Sequence, residues 1–492
     1  MTKLSDYSFW FITGSQFLYG PETLEQVEQN SKEIVQALNN SPLIPTRIVF
    51  KSVMKTSDEI TKIIKEANYD DSCAGIIVFM HTFSPSKMWI TGLSSLQKPY
   101  CHLHTQFGRK IPNLGIDMDF MNLHQSAHGD REHGYIAARL KIARKIVAGY
   151  WDDDRTKERI GDWMRVAVGV AAGRNLKVMR FGDNMREVAV TEGDKVEAQR
   201  VFGWQVNSWG IGQLAEKLKE VDAAKLEQLM EEYLSEYEFN NSSRESTEYQ
   251  ARLEIAIEEM LDAESCMAFT DTFEDLYGID QLPGLASQHL MQKGYGFAGE
   301  GDWKTAALTY IMKVMGEGKT GGCSFMEDYT YDLSEAEELS LGAHMLEVCP
   351  SIAAHRPKIE VHPLSIGGKE PPARLVFEGK AGKAILATIV DMGNRFRMIV
   401  HDIECVKPIY EMPNLPVARI MWKATPDFET GSECWLVAGG AHHSVLSFDV
   451  SAEQMRDYAR ILGLEFVHIS NETKRNDFEE HILLLDAISR LR

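Results

Sequence analysis

Residues 73–80, CAGIIVFM, form an unbroken apolar run between Asp71-Ser72 and His81-Thr82. Eight residues without a polar face suit a strand covered on both sides, which is where the inner strands of a parallel sheet lie. The flanking chain repeats a strand–helix rhythm. FWFITGS (9–15) reads as a buried strand, and 21–40, PETLEQVEQNSKEIVQALNN, as a helix with Pro21 at its start. TRIVFKSVM (46–54) is a second strand, TSDEITKIIKEANYD (56–70) a helix opened by a Thr/Ser cap, and PYCHLHTQ (99–106) begins another strand. Such alternation builds a parallel sheet with helices on both faces.

The rhythm restarts after ERIGDWMRVAVGVAAG. LKVMRFG (176–182) reads as a strand, VNSWGIGQLAEKLKEV (206–221) as strand then helix, and 223–264 as helical and charged. ESCMAFTDTFEDL (264–276) gives a strand with a polar mouth. Beyond about residue 330 the pattern changes. Residues 373–408 are rich in β-branched residues, carry turn signals at GKAGK and MGN, and hold no helix between strands. That is antiparallel hairpin chemistry. SECWLVAGGAHHSVLSFDV (432–450) adds further strand, and SAEQMRDYARILG with a final amphipathic segment closes the chain. The expected organisation is two α/β domains, 1–172 and 173–325, followed by a mainly antiparallel β domain with terminal helices over 326–492; the length of 492 residues is in keeping with three.

A formal charge of −20 argues against binding by phosphate neutralisation, and so against nucleic acid or an anionic membrane surface. The seven cysteines are scattered, odd in number and never spaced C-x-x-C, which points to a reducing compartment rather than a disulfide framework. No segment has the length of a membrane span, and the first apolar run is too short for a signal peptide. A cytoplasmic protein acting on a neutral or metal-chelated small molecule is expected.

Residues 294–320, GYGFAGEGDWKTAALTYIMKVMGEGKT, contain letters of two nucleotide loops. Gly294, Gly296 and Gly299 spell G-x-G-x-x-G, but a helical stretch precedes them where the dinucleotide fingerprint needs a strand. Gly318-Lys319-Thr320 lacks the P-loop's earlier glycine, that position being Lys313. The three residues read instead as a helix stop. No nucleotide cofactor is expected. The residue outside both patterns is Glu300, among glycines and just ahead of a helix.

Other residues could keep Glu300 company. GGCSFMEDYTY (321–331) carries Glu327 and Asp328, LGAHMLEVCPS (341–351) carries His344 and Glu347, and LVAGGAHHSVL (436–446) carries His442 and His443. Adjacent side chains on a strand face opposite ways, so that pair should offer one ligand only, and periodicity does not say which. Two Glu with one or two His suit Mn²⁺, Mg²⁺ or Co²⁺ better than a thiolate-rich structural zinc site. DMDFMNLHQSAHGDREHG (117–134) is a rival, with His124 and His128 four apart on one face if helical, and His133 near.

The strings GSQFLYGPETL, HTFSPSKMW, DFMNLHQSAHG, RFGDNMREVAV, GFAGEGDWKTAAL, FMEDYTY, HMLEVCPSIA and AGGAHH, in this order, resemble those of bacterial L-arabinose isomerases. L-fucose isomerases share the broader architecture, but these strings belong to the arabinose branch. The resemblance implies two doubly wound parallel-sheet α/β domains and a mainly antiparallel β C-terminal domain. It implies a homohexamer with active sites where subunits meet, and a small-molecule sugar as substrate. It further implies Mn²⁺, with Co²⁺ or Mg²⁺ as substitutes, held by Glu300, Glu327, His344 and His443. The implied sugar contacts are Gln16, Leu18, Phe83, Gln125, His128, Met185, Phe273 and Ile366. Two positions depart from the family pattern: Phe17 stands where a histidine is usual, and His124 where Asn is frequent.

The expected reaction is conversion of L-arabinose to L-ribulose, and of D-galactose to D-tagatose, with Glu300 and Glu327 as acid/base pair around a metal-stabilised ene-diol. A nicotinamide-dependent dehydrogenase using the glycine loop and a non-catalytic sugar-binding protein are the alternatives from other classes, and a related aldose isomerase of the L-fucose type is the alternative within this one.

Overall fold

The computed structural model describes residues 2–239, 243–334, 337–364 and 367–491. It divides into two compact units. Thr2–Ala171 with Arg460–Gly463 forms one, and Ala172–Ala459 with Leu464–Arg492 the other.

In the first unit five strands lie in the order β2-β1-β3-β4-β5, all parallel: β1 (Ser8–Gly14), β2 (Ile48–Met54), β3 (Cys73–Met80), β4 (Tyr100–His104) and β5 (Lys145–Ala148). Every residue of β3 is buried, as its unbroken apolar run requires. Helix Ser57–Tyr69 opens on a capping box, the Thr56 hydroxyl accepting from Glu59 N while the Glu59 carboxylate accepts from Thr56 N. The strand order reverses between β1 and β3, and a sheet of this kind opens a crevice beyond the carboxyl ends of those two strands.

His81, one residue past β3, is fully buried, with Nδ1 3.0 Å from the Leu123 carbonyl and Nε2 2.9 Å from Asn30 Nδ2. The carbonyl can only accept, so Nδ1 carries the hydrogen and Nε2 accepts from the amide. Burial pulls the pKa of His81 down to about 4, and does the same to His401 in the second unit. The unfolded chain takes up these protons near pH 6.5, the folded one only near pH 4. The stabilisation is therefore complete above pH 6.5 and is lost as pH falls towards 4, by about 3 kcal/mol per group. Denaturant midpoints are expected to drop steadily between pH 7 and 4.5, and His401→Gln to flatten that slope; a flat wild-type profile would contradict the assignment.

The second unit holds two main sheets. β6 (Lys177–Phe181), β7 (Gln205–Trp209), β9 (Ala268–Asp271) and β10 (Gly296–Ala298) form a parallel sheet in the order β10-β9-β6-β7. β8 (Glu238–Phe239) instead joins a small sheet with β13 (Lys358–Val361) and β14 (Ala373–Val376). The remaining strands are β11 (Cys323–Ser334), β12 (Glu337–Ala343), β15 (Gly382–Asp391), β16 (Phe396–Val406), β17 (Ile420–Ala424), β18 (His443–Ser447) and β19 (Glu465–Ile469). They run β15-β18-β11-β12-β17-β16, each pair antiparallel, and β16 pairs back onto β15, so six strands close into a barrel. Closure leaves the ring no free edge. β19 adds to β16 in parallel.

Helix Trp303–Met315 is apolar nearly all round and buried along all but one residue. It packs against β9 and β10 on one side and β11 and β18 on the other, so parallel sheet and barrel share a core in one compact unit. One expected strand is a helix: residues 432–437 belong to helix Phe428–Val437. Asp427 caps it by accepting from Thr430 N, and Gly431 and Cys434 turn its buried face inward. A short apolar run does not distinguish the two states by periodicity.

Candidate functional site

Between β10 and helix Trp303–Met315 the chain makes the turn Gly299-Glu300-Gly301-Asp302. Glu300 takes a left-handed φ of +62°, a conformation that costs a residue with a Cβ roughly 1–2 kcal/mol. Its neighbours permit the turn. A Cβ on Gly299 would lie 3.0 Å from the His344 ring, and Gly301, at φ +76°, would drive a Cβ to 2.5 Å from the Asp183 carbonyl. Gly299 and Gly301 thus provide clearance around one carboxylate, and Gly318-Lys319-Thr320 follows the helix end, as the helix-stop reading expects.

Asp302 caps the helix through Thr305, whose Oγ1 donates to Oδ2 at 2.7 Å, and lies 3.2 Å from the buried Lys304 ammonium. Burial works against its charge, but Lys304 and His443 hold the carboxyl far below the usual range. The ionised Asp302 accepts from Nδ1 of His443 at 3.1 Å. That leaves His443 Nε2, buried and without a hydrogen-bond partner, presenting a lone pair 3.7 Å from Glu300 Oε2. His344 repeats the plan: Nδ1 lies 2.5 Å from the buried Glu347 carboxylate, which also accepts from Leu346 N. Burial opposes protonation of His344, yet the Glu347, Glu327 and Glu300 carboxylates raise its pKa to about 9. Phe325 packs edge-on against both imidazoles, each 5.0 Å from its ring centre.

Glu300, His344 and His443 each bring one ligand atom within 4.8 Å of the others'. With the outer nitrogens of both histidines fixed by carboxylates, the three residues form a hard O/N set that a divalent cation would satisfy, displacing the proton that His344 holds without it. The orphaned His443 Nε2 is the observation that makes the residues fit a metal. Glu327 does not join this three-residue cluster. It lies opposite His443 across the β11–β18 pair and beside Asp328, whose carboxyl is pushed up to about 7 by burial and the Glu327 charge.

Two further residues stand by the cluster, of which Asp271 escaped sequence reasoning. His442 precedes β18, so strand alternation does not bind it. Its Nε2 lies 3.4 Å from Glu300 Oε2, while His443 alone of the pair joins Glu300 and His344 in the ligand cluster, in keeping with one ligand from the pair. Asp271, at the end of β9, is buried with Oδ2 unpartnered, and burial with the Glu347 charge, against the opposing effect of His344, pushes its carboxyl up to about 8. The polar mouth of ESCMAFTDTFEDL was its only trace in the sequence. Met185 and Phe273 follow the carboxyl ends of β6 and β9, and Met185 N donates to the Glu300 carbonyl at 3.0 Å. Ile366 lies outside the described residues.

Within the first unit, four implied sugar contacts gather beyond β1 and β3. Gln16 Nε2 donates to the Phe83 carbonyl at 3.0 Å, Tyr19 Oη bridges Gln125 Oε1 and Phe83 N, and the His128 ring lies 5.8 Å from that of Phe83. Leu18 and Phe17 are exposed, with the Lys55 ammonium 5.7 Å from the Phe17 ring centre. The rival histidines do not converge. His124 lies between helices Met118–Leu123 and Ser126–Arg139, stacked 4.2 Å from Phe120, so it shares no helix face with His128. His133 is buried against Tyr100.

Three family models match in series: the L-arabinose isomerase N-terminal domain over residues 3–175, the central domain over 177–318 and the C-terminal domain over 322–465. The chain is 56% identical over 488 residues to an L-arabinose isomerase of Geobacillus stearothermophilus, covering 98% of each. It is 54% identical to one of Thermotoga petrophila, again covering 98% of each, and 53% identical to one of Halalkalibacterium halodurans, covering 100% of each.

Proposed function

The chain belongs to the L-arabinose isomerase family, and from that premise we propose that it interconverts L-arabinose and L-ribulose, and D-galactose and D-tagatose, at the Glu300 cluster. Membership makes it an isomerase acting on a small sugar. The observation that supports placing the chemistry here is the buried, partnerless His443 Nε2 facing Glu300.

Glu300, His344 and His443 would hold Mn²⁺, and Glu327, opposite His443 on the neighbouring strand, would complete the set. The ion would supply Lewis acidity at the sugar's O1 and O2. The protein's own groups carry the protons. One carboxylate of the Glu300/Glu327 pair takes the proton from C2 and returns it to C1 through an ene-diol, and the pair moves the hydroxyl proton in the same sense, from O2 to O1. Asp302 and Glu347 keep the outer nitrogens of His443 and His344 protonated, and so keep the inner nitrogens aimed at the site. His442, half exposed beside Glu300, is placed to contact the sugar's oxygens.

The test is a ketose assay on L-arabinose and D-galactose in D₂O with Mn²⁺. Ketose carrying solvent deuterium at C1 is expected; ketose without deuterium would replace proton transfer by a hydride shift, and absence of ketose would remove the activity.

We further propose a homohexamer with sugar sites completed between subunits. Exposed Ile111, Leu114 and Met118 are apolar surface that assembly would cover. Light scattering should give six times the 55.6 kDa chain mass. A monomer would refute it. No described helix is long and apolar enough to cross a membrane. All seven cysteines are free and buried, which supports a reducing, cytoplasmic location.

A further inference from the structure

A second histidine in the molecule, in the helix that precedes β10, has one ring nitrogen held by a buried carboxylate as His443 does. His289, in helix Leu285–Gln292, is only 1% exposed. Its Nδ1 lies 2.8 Å from one oxygen of Glu254 and 3.0 Å from the other. Glu254, fully buried, also accepts from Tyr233 Oη and from the Lys293 ammonium at 2.9 Å. A carboxylate so engaged can only accept, so Nδ1 of His289 carries a hydrogen and Nε2 points the other way. There it faces Glu236 Oε2 at 3.5 Å and Glu232 Oε1 at 3.7 Å.

Those separations are long for hydrogen bonds to an imidazole. They are close to what a shared cation produces: bonds of about 2.0–2.2 Å at angles between octahedral and tetrahedral put ligand atoms roughly 3.0–3.6 Å apart. Glu232 and Glu236 stand four apart near the end of helix Ala223–Glu236, so one helix face delivers both carboxylates, and the carboxyl end of a helix favours positive charge. Arg356 donates to the carbonyls of residues 234–237 and leaves the two carboxylates alone. Among the described residues neither carboxylate has a lysine or arginine within ion-pairing distance. Both carboxylates are about two-fifths exposed, which gives an ion a route in from solvent.

We propose that Glu232, Glu236 and His289 form a second metal site, for a divalent transition-metal cation such as Zn²⁺, Co²⁺ or Mn²⁺. The two carboxylates balance the charge of the ion, the neutral imidazole supplies the softer ligand, and Glu254 fixes the ring as a buried carboxylate fixes a metal-bound histidine elsewhere. The site clasps helix Ala223–Glu236 to helix Leu285–Gln292, so an ion there stabilises the folded chain without touching the sugar chemistry.

The test uses full-length metal-stripped protein dialysed against Zn²⁺ or Mn²⁺, with bound metal counted by elemental analysis. The Glu232→Gln/Glu236→Gln double variant keeps the volume of both side chains on an accessible helix face. It is expected to bind one ion per chain fewer than the unaltered protein, and to show a smaller rise in melting temperature when metal is added. Glu300→Gln separates the two sites: its remaining ion should disappear when the double substitution is combined with it. Crystals soaked in Zn²⁺ should show an anomalous peak at bonding distance from His289 Nε2. An unchanged ion count in the double variant, or an empty map beside His289, overturns the proposal whatever is found at Glu300.

Discussion

Replacing Glu300 by Gln is expected to lower turnover of L-arabinose by at least about 10³-fold while leaving the fold intact. An amide cannot accept the carbon-bound proton, and general-base groups contribute about 10²–10⁴-fold on their own. The same substitution removes the carboxylate that faces His442 and His443, and so weakens the metal site as well. Its shape is retained, so the left-handed turn, the Asp302 cap and the close passage of Gly299 past His344 should survive. Glu327→Gln should also abolish turnover. Ketose production and circular-dichroism melts measure both halves of the expectation. Turnover within tenfold of the unaltered enzyme in both variants would move the chemistry elsewhere.

Stripping the protein with EDTA is expected to cost at least about 10²-fold in turnover, recovered on returning Mn²⁺. A Lewis acid at the sugar oxygens is worth several kcal/mol of barrier, and each 1.36 kcal/mol is tenfold. The melting temperature should fall with it, because a ligand that binds only the folded chain stabilises it, and because the metal-free site buries an imidazole nitrogen with no partner. A verified metal-free sample turning over at the original rate would refute the metal's part in the reaction.

Much of the architecture was legible because its signals are local. The run 73–80, within the strand–helix rhythm around it, suits a strand covered on both faces, and β3 is buried throughout. The turn chemistry at MGN produces the β15–β16 hairpin, with Gly393 in the left-handed region and its N–H held by Asp391. Residues 432–437 misread because a short apolar stretch has no period of its own, and Asp427 decides for helix. The histidine pair offers one ligand to the cluster, His443, which periodicity alone did not single out because the strand begins at that residue.

By itself the sequence determined the succession of parallel α/β layers and antiparallel β, and the family, since each rests on residues near one another in the chain. Only the tertiary structure decided that the last strands close on themselves as a barrel, that Asp302 and Glu347 orient His443 and His344, and that these two histidines meet at Glu300. Glu300 and His443 lie more than a hundred residues apart, and no spacing rule reaches that far. Their meeting is set by helix Trp303–Met315, which packs β10 and β18 on opposite sides of one buried core and so brings the ends of two sheets to a single carboxylate.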